Sequence, residues 1–309
     1  MKTMKLPHTD MNASPFVFGT SKINLVPQEQ VNSAVDAAIS CGVNYFDLAD
    51  IYGGLGQCEE IFQKAIAGRD RSKMYIQSKC GVIRGPEHIH YDFSKAHIIE
   101  AVEGSLKRLK TDYLDALLLH RADALMEPEE VAAAFTALEK EGKVRHFGVS
   151  NHTPSQVELL KTCVEQPLFA NQLQFGLGHT LLVDSTFAVN MVIDQGIQRD
   201  MDLLNYCRLN KMTIQAWSPF QNSAHDKSFL ADPKMMPRLW EELTRLAEEK
   251  NTTRAAIAAA WILRHPANMQ VIIGSRSAKH VEEICAGAQV QLSRKEWYDL
   301  YFAAGHRIP

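Results

Sequence analysis

What the chain lacks narrows its function before any motif is considered. Across 309 residues, 33 Lys and Arg face 36 Asp and Glu, and the resulting net charge of −3 suggests no basic face for nucleic acid. No apolar run reaches the roughly 18 residues of a membrane span. The N-terminal residues 1–12 are polar, without the apolar centre of a signal peptide. The six cysteines (Cys41, Cys58, Cys80, Cys163, Cys207, Cys285) are scattered, and none forms a C-x-x-C pair. That usage fits reduced thiols in a cytoplasm better than a disulfide framework. Internal repeats, low-complexity tracts and obvious linkers are missing too, so the expectation is a single domain over residues 1–309. The last absence is G-x-G-x-x-G. Phe18-Gly19-Thr20-Ser21 follows the first apolar run instead, which speaks against an open doubly wound sheet, the competing architecture.

What is present is an alternation of strand and helix in a composition, 46% hydrophobic and 22% charged, typical of a soluble globular protein. Strands are expected over 15–20, 43–48, 73–78, 113–119, 144–149, 168–174, 213–217 and 270–273. Helices are expected over 27–39, 59–67, 94–109, 128–142, 154–164, 202–209, 238–249, 254–263 and 278–286, with an extra one over 294–302. The first places Val31, Val35, Ala38 and Ile39 on one face; Ser94, Ser277 and Thr153-Pro154 mark helix starts. The run 113–119 is apolar almost throughout and should be covered on both sides. Eight strands, each followed by helix, predict an α/β fold of the (β/α)8 TIM barrel type with an extra C-terminal helix.

In such a barrel the C-terminal strand ends converge on one face and carry the chemistry. Here those ends are Asp47, Lys79, His120, Ser150-Asn151, Gln172, Trp217-Ser218 and Gly274-Ser275, nearly all polar or aromatic directly after an apolar run. Singly, each has a plain structural explanation: an ion pair for Asp47 and Lys79, a hydrogen-bonded structural histidine for His120, core packing for Trp217. Together they aim at one point. Tyr52 lies five positions beyond Asp47, in a loop punctuated by Gly53-Gly54. A phenol titrates near 10 and is a poor acid at neutral pH unless assisted. A neighbouring Lys⁺ is expected to lower that value, with an Asp keeping the lysine charged and a His polarising a substrate oxygen. This equipment protonates a carbonyl oxygen; the carbon needs a hydride, which no side chain supplies and a nicotinamide does. Trp217 offers a flat face for such a ring, and Ser150, Asn151 and Gln172 offer polar groups for its carboxamide.

Over nearly its whole length the chain resembles the aldo-keto reductase superfamily. The family's Asp, Tyr, Lys and His look matched by Asp47, Tyr52, Lys79 and His120 within F-D-L-A-D-I-Y-G, Q-S-K and L-L-L-H-R. Ser150-Asn151 within G-V-S-N, Gln172 within N-Q-L-Q, and Trp217 followed by Ser218-Pro219-Phe220 continue the match in order. The resemblance implies a barrel binding NADP(H) in extended form and reducing an aldehyde or ketone reversibly. Tyr52 would be the general acid, assisted by Lys79 and Asp47, with His120 orienting the carbonyl. It also implies cofactor contacts from Gly19 and Thr20, from Ser218, Pro219 and Phe220 at the diphosphate, and from Gly274, Ser275, Arg276, His280 and Glu283 at the adenosine end.

The chain departs from the family in that last segment: Gly274 stands for a frequent lysine and Ile284 for a frequent asparagine. The choice of NADP over NAD therefore stays open at this point, as does a solvent-exposed role for Arg276. With the first barrel strand starting so near Met1, no N-terminal hairpin is expected. The 80–93 loop carries His88 and His90, a weak metal pair lacking a third ligand, and no metal is expected. The long 175–200 insert is expected to shape a pocket for a medium-sized, uncharged carbonyl. The remaining expectations are a small-molecule substrate, neither nucleic acid nor membrane as partner, and a monomer or small homo-oligomer. From a different class, an NADP(H)-binding regulatory subunit with little turnover would share the same fold and cofactor site.

Overall fold

The computed structural model describes residues 1–222 and 227–307. The chain opens on a hairpin, β1 (Met4–Lys5) antiparallel to β2 (Asn12–Ala13). This corrects the expectation that no such hairpin exists. With two residues per strand it is too short for any alternation to show in sequence. It is anchored by Leu6, Met11 and Ala13, all fully buried against the inner core.

β3 (Phe16–Gly19) begins the barrel, and α1 (Gln28–Ser40) packs outside it. β4 (Tyr45–Asp47), α2 (Gln57–Ala65) and β5 (Tyr75–Cys80) follow. A second hairpin, β6 (Val82–Arg84) with β7 (Ile89–Tyr91), occupies what the sequence reads as a loop and precedes α3 (Lys95–Leu109). The alternation continues through β8 (Leu114–Leu119), α4 (Pro128–Lys140), β9 (Val144–Ser150), α5 (Pro154–Lys161) and β10 (Leu168–Gln174). After an insert carrying α6 (Leu181–Phe187), α7 (Leu203–Leu209) leads into β11 (Thr213–Trp217). β12 (Gln221–Asn222) pairs with β13 (Lys227–Ser228); α8 (Pro237–Glu249) and α9 (Arg254–Leu263) then precede β14 (Gln270–Ile273). α10 (Ala278–Cys285) completes the alternation, and α11 (Arg294–Ala303) is the extra terminal helix.

β3, β4, β5, β8, β9, β10, β11 and β14 close into a parallel barrel in that order. The predicted (β/α)8 fold is therefore the observed one. The larger apolar cluster lies between barrel and helices, where α1 buries Val31, Val35 and Ala38 and β8 is buried along its whole length. The smaller cluster fills the inside of the barrel with Val17, Tyr45, Ala116, Leu118, Phe169 and Ile272. Among the described residues no helix is long and apolar enough to cross a membrane.

One register difference matters for the site. β5 runs over Tyr75–Cys80 rather than 73–78, because Arg71–Lys73 form a 3-10 turn capped by the Asp70 carboxylate on Ser72 N–H. Lys79 thus sits inside the strand, fully buried, and not just beyond its end.

Candidate active site

Three strands and one turn bring the predicted tetrad together. Asp47 ends β4, Lys79 lies one residue before the end of β5, and His120 follows β8 directly. Tyr52 stands in the turn after β4, its N–H donating to the Ala49 carbonyl at 3.1 Å, directly before Gly53-Gly54. Gly53 there has φ +73°, and a Cβ on it would come within 3.0 Å of Cys58 Sγ, so the tight reversal needs a residue without a side chain.

Lys79 is the hub. Its Nζ donates to Asp47 Oδ2 at 2.7 Å, to the Leu48 carbonyl at 2.7 Å and to Tyr52 Oη at 3.3 Å. The imidazole of His120 stands edge-on to the Tyr52 ring, 5.5 Å between centroids. Its Nδ1 is sealed from solvent and has no hydrogen-bond partner among the described residues.

Burial and charge compete here, and the balance differs by residue. Burial alone would discharge Lys79, but the Asp47 carboxylate and the Tyr52 oxygen outweigh it and raise the ammonium's pKa above the ordinary value. For Tyr52 burial is again the largest cause, and Lys79 does not overcome it; the phenol titrates above the usual tyrosine range. The expectation of a phenol made more acidic by its lysine is thus reversed in the free protein: Tyr52 is held protonated. Burial, then Lys79 and Arg121, push His120 well below its usual range, so it is a neutral imidazole at physiological pH.

A cleft of about 1110 Å³ opens over the tetrad. Of the predicted site residues, Gly19, Thr20, Asp47, Tyr52, His120, Ser150, Asn151, Gln172, Trp217, Ser218, Pro219, Phe220, Gly274, Ser275, His280 and Glu283 line it. Lys79 does not, being shielded behind Tyr52 and Asp47. Arg276 does not either; its backbone carbonyl accepts a hydrogen bond from Gln30. At the inner end Trp217 Nε1 donates to Asn151 Oδ1 at 3.2 Å, Asn151 Nδ2 to Ser150 Oγ at 2.7 Å, and Ser150 Oγ to the Gln172 carbonyl at 3.1 Å. Asn151 and Ser218 both adopt left-handed φ (57° and 47°), the local strain that functional sites tend to hold.

Sequence reasoning passed over three cations on the cleft wall: Lys22, Arg121 and Arg254. Arg121 had a signal, since it follows His120 at a strand end; its guanidinium lies 5.6 Å from the Trp217 ring centroid. Arg254 stacks on Trp240 at 4.0 Å and gave no signal beyond its place at a helix start. Gln77, which donates to Asp47 Oδ1 at 2.6 Å, was also missed. It stands two residues before Lys79 on the same face of β5, which is the signal that could have found it. The 175–200 insert contributes no lining residue. It packs instead on α11, where Tyr301 Oη donates to Asp184 at 2.8 Å and Gln195 Nε2 donates to Tyr301 Oη at 2.9 Å. The rings of His88 and His90 are 6.3 Å apart, and among the described residues no group of three His, Cys, Asp or Glu could hold a metal.

Comparison with known proteins gives the family and the overall fold. The oxidoreductase YdhF of Escherichia coli is 37% identical over 289 residues, 91% of this chain and 89% of that protein. A 6-dehydroglucose reductase of Agrobacterium fabrum is 31% identical over 283 residues, 89% and 87% of the two chains. A crystal structure of an aldo-keto reductase from Klebsiella pneumoniae in complex with NADPH superposes with a TM-score of 0.76 at 26% identity, covering 99% of this chain and 96% of that one. A profile of the Aldo/keto reductase family matches residues 15–301, nearly the full length, and the chain belongs to that family.

Proposed function

We propose that this aldo/keto reductase reduces an aldehyde or ketone to an alcohol with NADPH, Tyr52 acting as general acid. The observation that carries the reading is the position of Lys79 Nζ, within hydrogen-bond reach of both Asp47 and Tyr52, beneath a cleft that Tyr52 and Trp217 share. A long groove with an indole face, convergent amides at its inner end and cations at its outer end fits a phosphorylated dinucleotide. Trp217 would stack on the nicotinamide, with Ser150, Asn151 and Gln172 around its carboxamide. Ser275, His280, Glu283 and Arg254 would hold the adenosine end. Bound NADPH supplies the hydride for the carbonyl carbon.

The protein's own residues handle the oxygen. Tyr52 Oη accepts from Lys79, which leaves its own hydrogen free for a substrate oxygen. Because burial keeps the phenol protonated, it is loaded before substrate arrives. As the proton leaves, the phenolate gains the ammonium of Lys79, which Asp47 keeps charged. Neutral His120 can donate a hydrogen bond to the same carbonyl without adding a charge.

The substrate is a small-molecule carbonyl, such as the 6-dehydroglucose for which the Agrobacterium relative is named; with the insert away from the cleft, the expectation of a medium-sized, uncharged substrate loses its support. The protein acts in the cytoplasm as a monomer or small homo-oligomer, in keeping with six free cysteines. The direct test follows NADPH oxidation against sugar aldehydes, aromatic aldehydes, quinones and diketones. Turnover of at least one class is expected. NADPH binding without turnover of any carbonyl would point instead to a regulatory subunit.

A further inference from the structure

A second cavity shares no lining residue with the catalytic cleft. It holds about 220 Å³ and lies among α6, α7, the end of α9 and the start of α11. Val183 and Phe187 of the insert after β10 line it together with Leu204, Trp297 and Tyr298. The aromatic wall is fixed by edge-on packing. The Tyr298 ring stands 5.2 Å from Trp297 at 84° and 5.9 Å from Phe187 at 69°. Trp297 is anchored from behind, its Nε1 donating to the Trp261 carbonyl at 2.9 Å while the Trp261 indole stacks on it at 4.7 Å.

The charge on this wall has one sign. Arg208, Arg264 and Arg294 line the cavity, and no Asp or Glu does. All three are exposed, and none forms an ion pair among the described residues. Arg264 is held through Nε, which donates to the Leu292 carbonyl at 2.9 Å and leaves both Nη groups to a ligand. His265 lines the cavity too, but burial and then the charge of Arg208 push it down to about 4, so the wall's charge comes from the arginines alone. Helix stability does not account for Arg294, which occupies the first position of α11, where the helix dipole disfavours a cation. The next residue, Lys295, does find a carboxylate, pairing with Asp299 at 2.7 Å. In a chain of net charge −3, three arginines without a partner around one aromatic recess form a local exception.

We propose that this cavity is a second binding site, for a small organic anion with a flat apolar body, the ring lying against Trp297 and Phe187 and the carboxylate meeting Arg208, Arg264 and Arg294. A guanidinium presents two parallel donors to a carboxylate, and a planar ring packs well on aromatic side chains. At about 220 Å³ against about 1110 Å³ for the cleft, the cavity is too small for a dinucleotide. The site is separate from the reductase chemistry, and its test needs neither cofactor nor carbonyl substrate.

The experiment is isothermal titration of the full chain with indole-3-acetate and with indole-3-acetamide, an uncharged ligand of nearly the same shape. The acetate is expected to bind with a dissociation constant below about 1 mM, and the amide about tenfold more weakly. The double variant Arg208→Gln, Arg294→Gln alters only exposed side chains and should keep the wild-type melting temperature. It is expected to weaken the acetate by about tenfold and to leave the amide within about twofold. Wild type binding neither ligand, or both equally, overturns the proposal. So does acetate binding that survives the double substitution, which would put the ligand elsewhere on the protein.

Discussion

Tyr52 lies 3.3 Å from an ammonium that favours its phenolate, yet its hydroxyl titrates above the ordinary tyrosine range because burial costs the anion more than Lys79 returns. The same competition gives a pH-dependent stability elsewhere. His152 is fully buried, stacked on Phe93 at an 8° interplanar angle, with Nδ1 3.0 Å from the Ser150 carbonyl, and burial pushes its pKa to about 4. An unfolded histidine titrates near 6.5, so as pH falls the unfolded chain takes up this proton first. The neutral ring's contribution is complete above the unfolded value and is lost progressively between there and about 4. The expected loss is ~2 kcal/mol between pH 7 and pH 5. Urea melts at those two pH values should show His152→Phe losing less than wild type over the interval; an identical loss would refute the assignment. At this scale the tetrad was legible because Asp47, Lys79 and His120 end or follow apolar runs and Tyr52 directly precedes a glycine pair. Gln77 was not, since a polar residue in a strand gives no sign of facing inward. Nor does a sequence show how deeply Tyr52 is buried, which is why its pKa was expected to move the other way.

Secondary structure was readable wherever a long period or a cap marked it. Thr153 with Gln156 makes a complete capping box at the start of α5, where Thr153-Pro154 pointed to a helix. It was unreadable where elements are two or three residues long, as in the N-terminal hairpin and β6–β7. The two-residue shift of β5 came from the Asp70 cap, a local contact that competes with strand extension. The helix start at Thr253 has a functional counterpart. Its hydroxyl caps α9 by accepting from Ala256 N–H, and the next residue, Arg254, lies on the cleft wall while Arg276 does not. If NADPH lies in the cleft as proposed, Arg254 is a cation on its wall that could meet the 2′-phosphate. Arg254→Ala is expected to weaken NADPH binding by about tenfold and to change NADH binding little. Fluorescence titration with both dinucleotides checks this, and an equal effect on the two would exclude a phosphate contact.

As a whole, the molecule divides its labour between the two ends of one barrel. The N-terminal end is closed by Leu6, Met11 and Ala13 of the hairpin region. The C-terminal end carries the tetrad and the cleft, as parallel barrels place them. The overall architecture could be read from eight repeats of strand and helix. The insert after β10 was misjudged because its apolar residues suit a wall of the substrate cleft and a helix-packing face equally well, and only the contacts with α11 separate the two. The central claim is that the buried phenol of Tyr52 delivers the proton. It is tested most directly by Tyr52→Phe, which removes one oxygen and leaves the ring in place. Steady-state turnover of the best aldehyde substrate should fall by about 10²–10⁴-fold, with the NADPH dissociation constant within about twofold of wild type. Unchanged turnover in that variant, with cofactor still bound, would contradict the account.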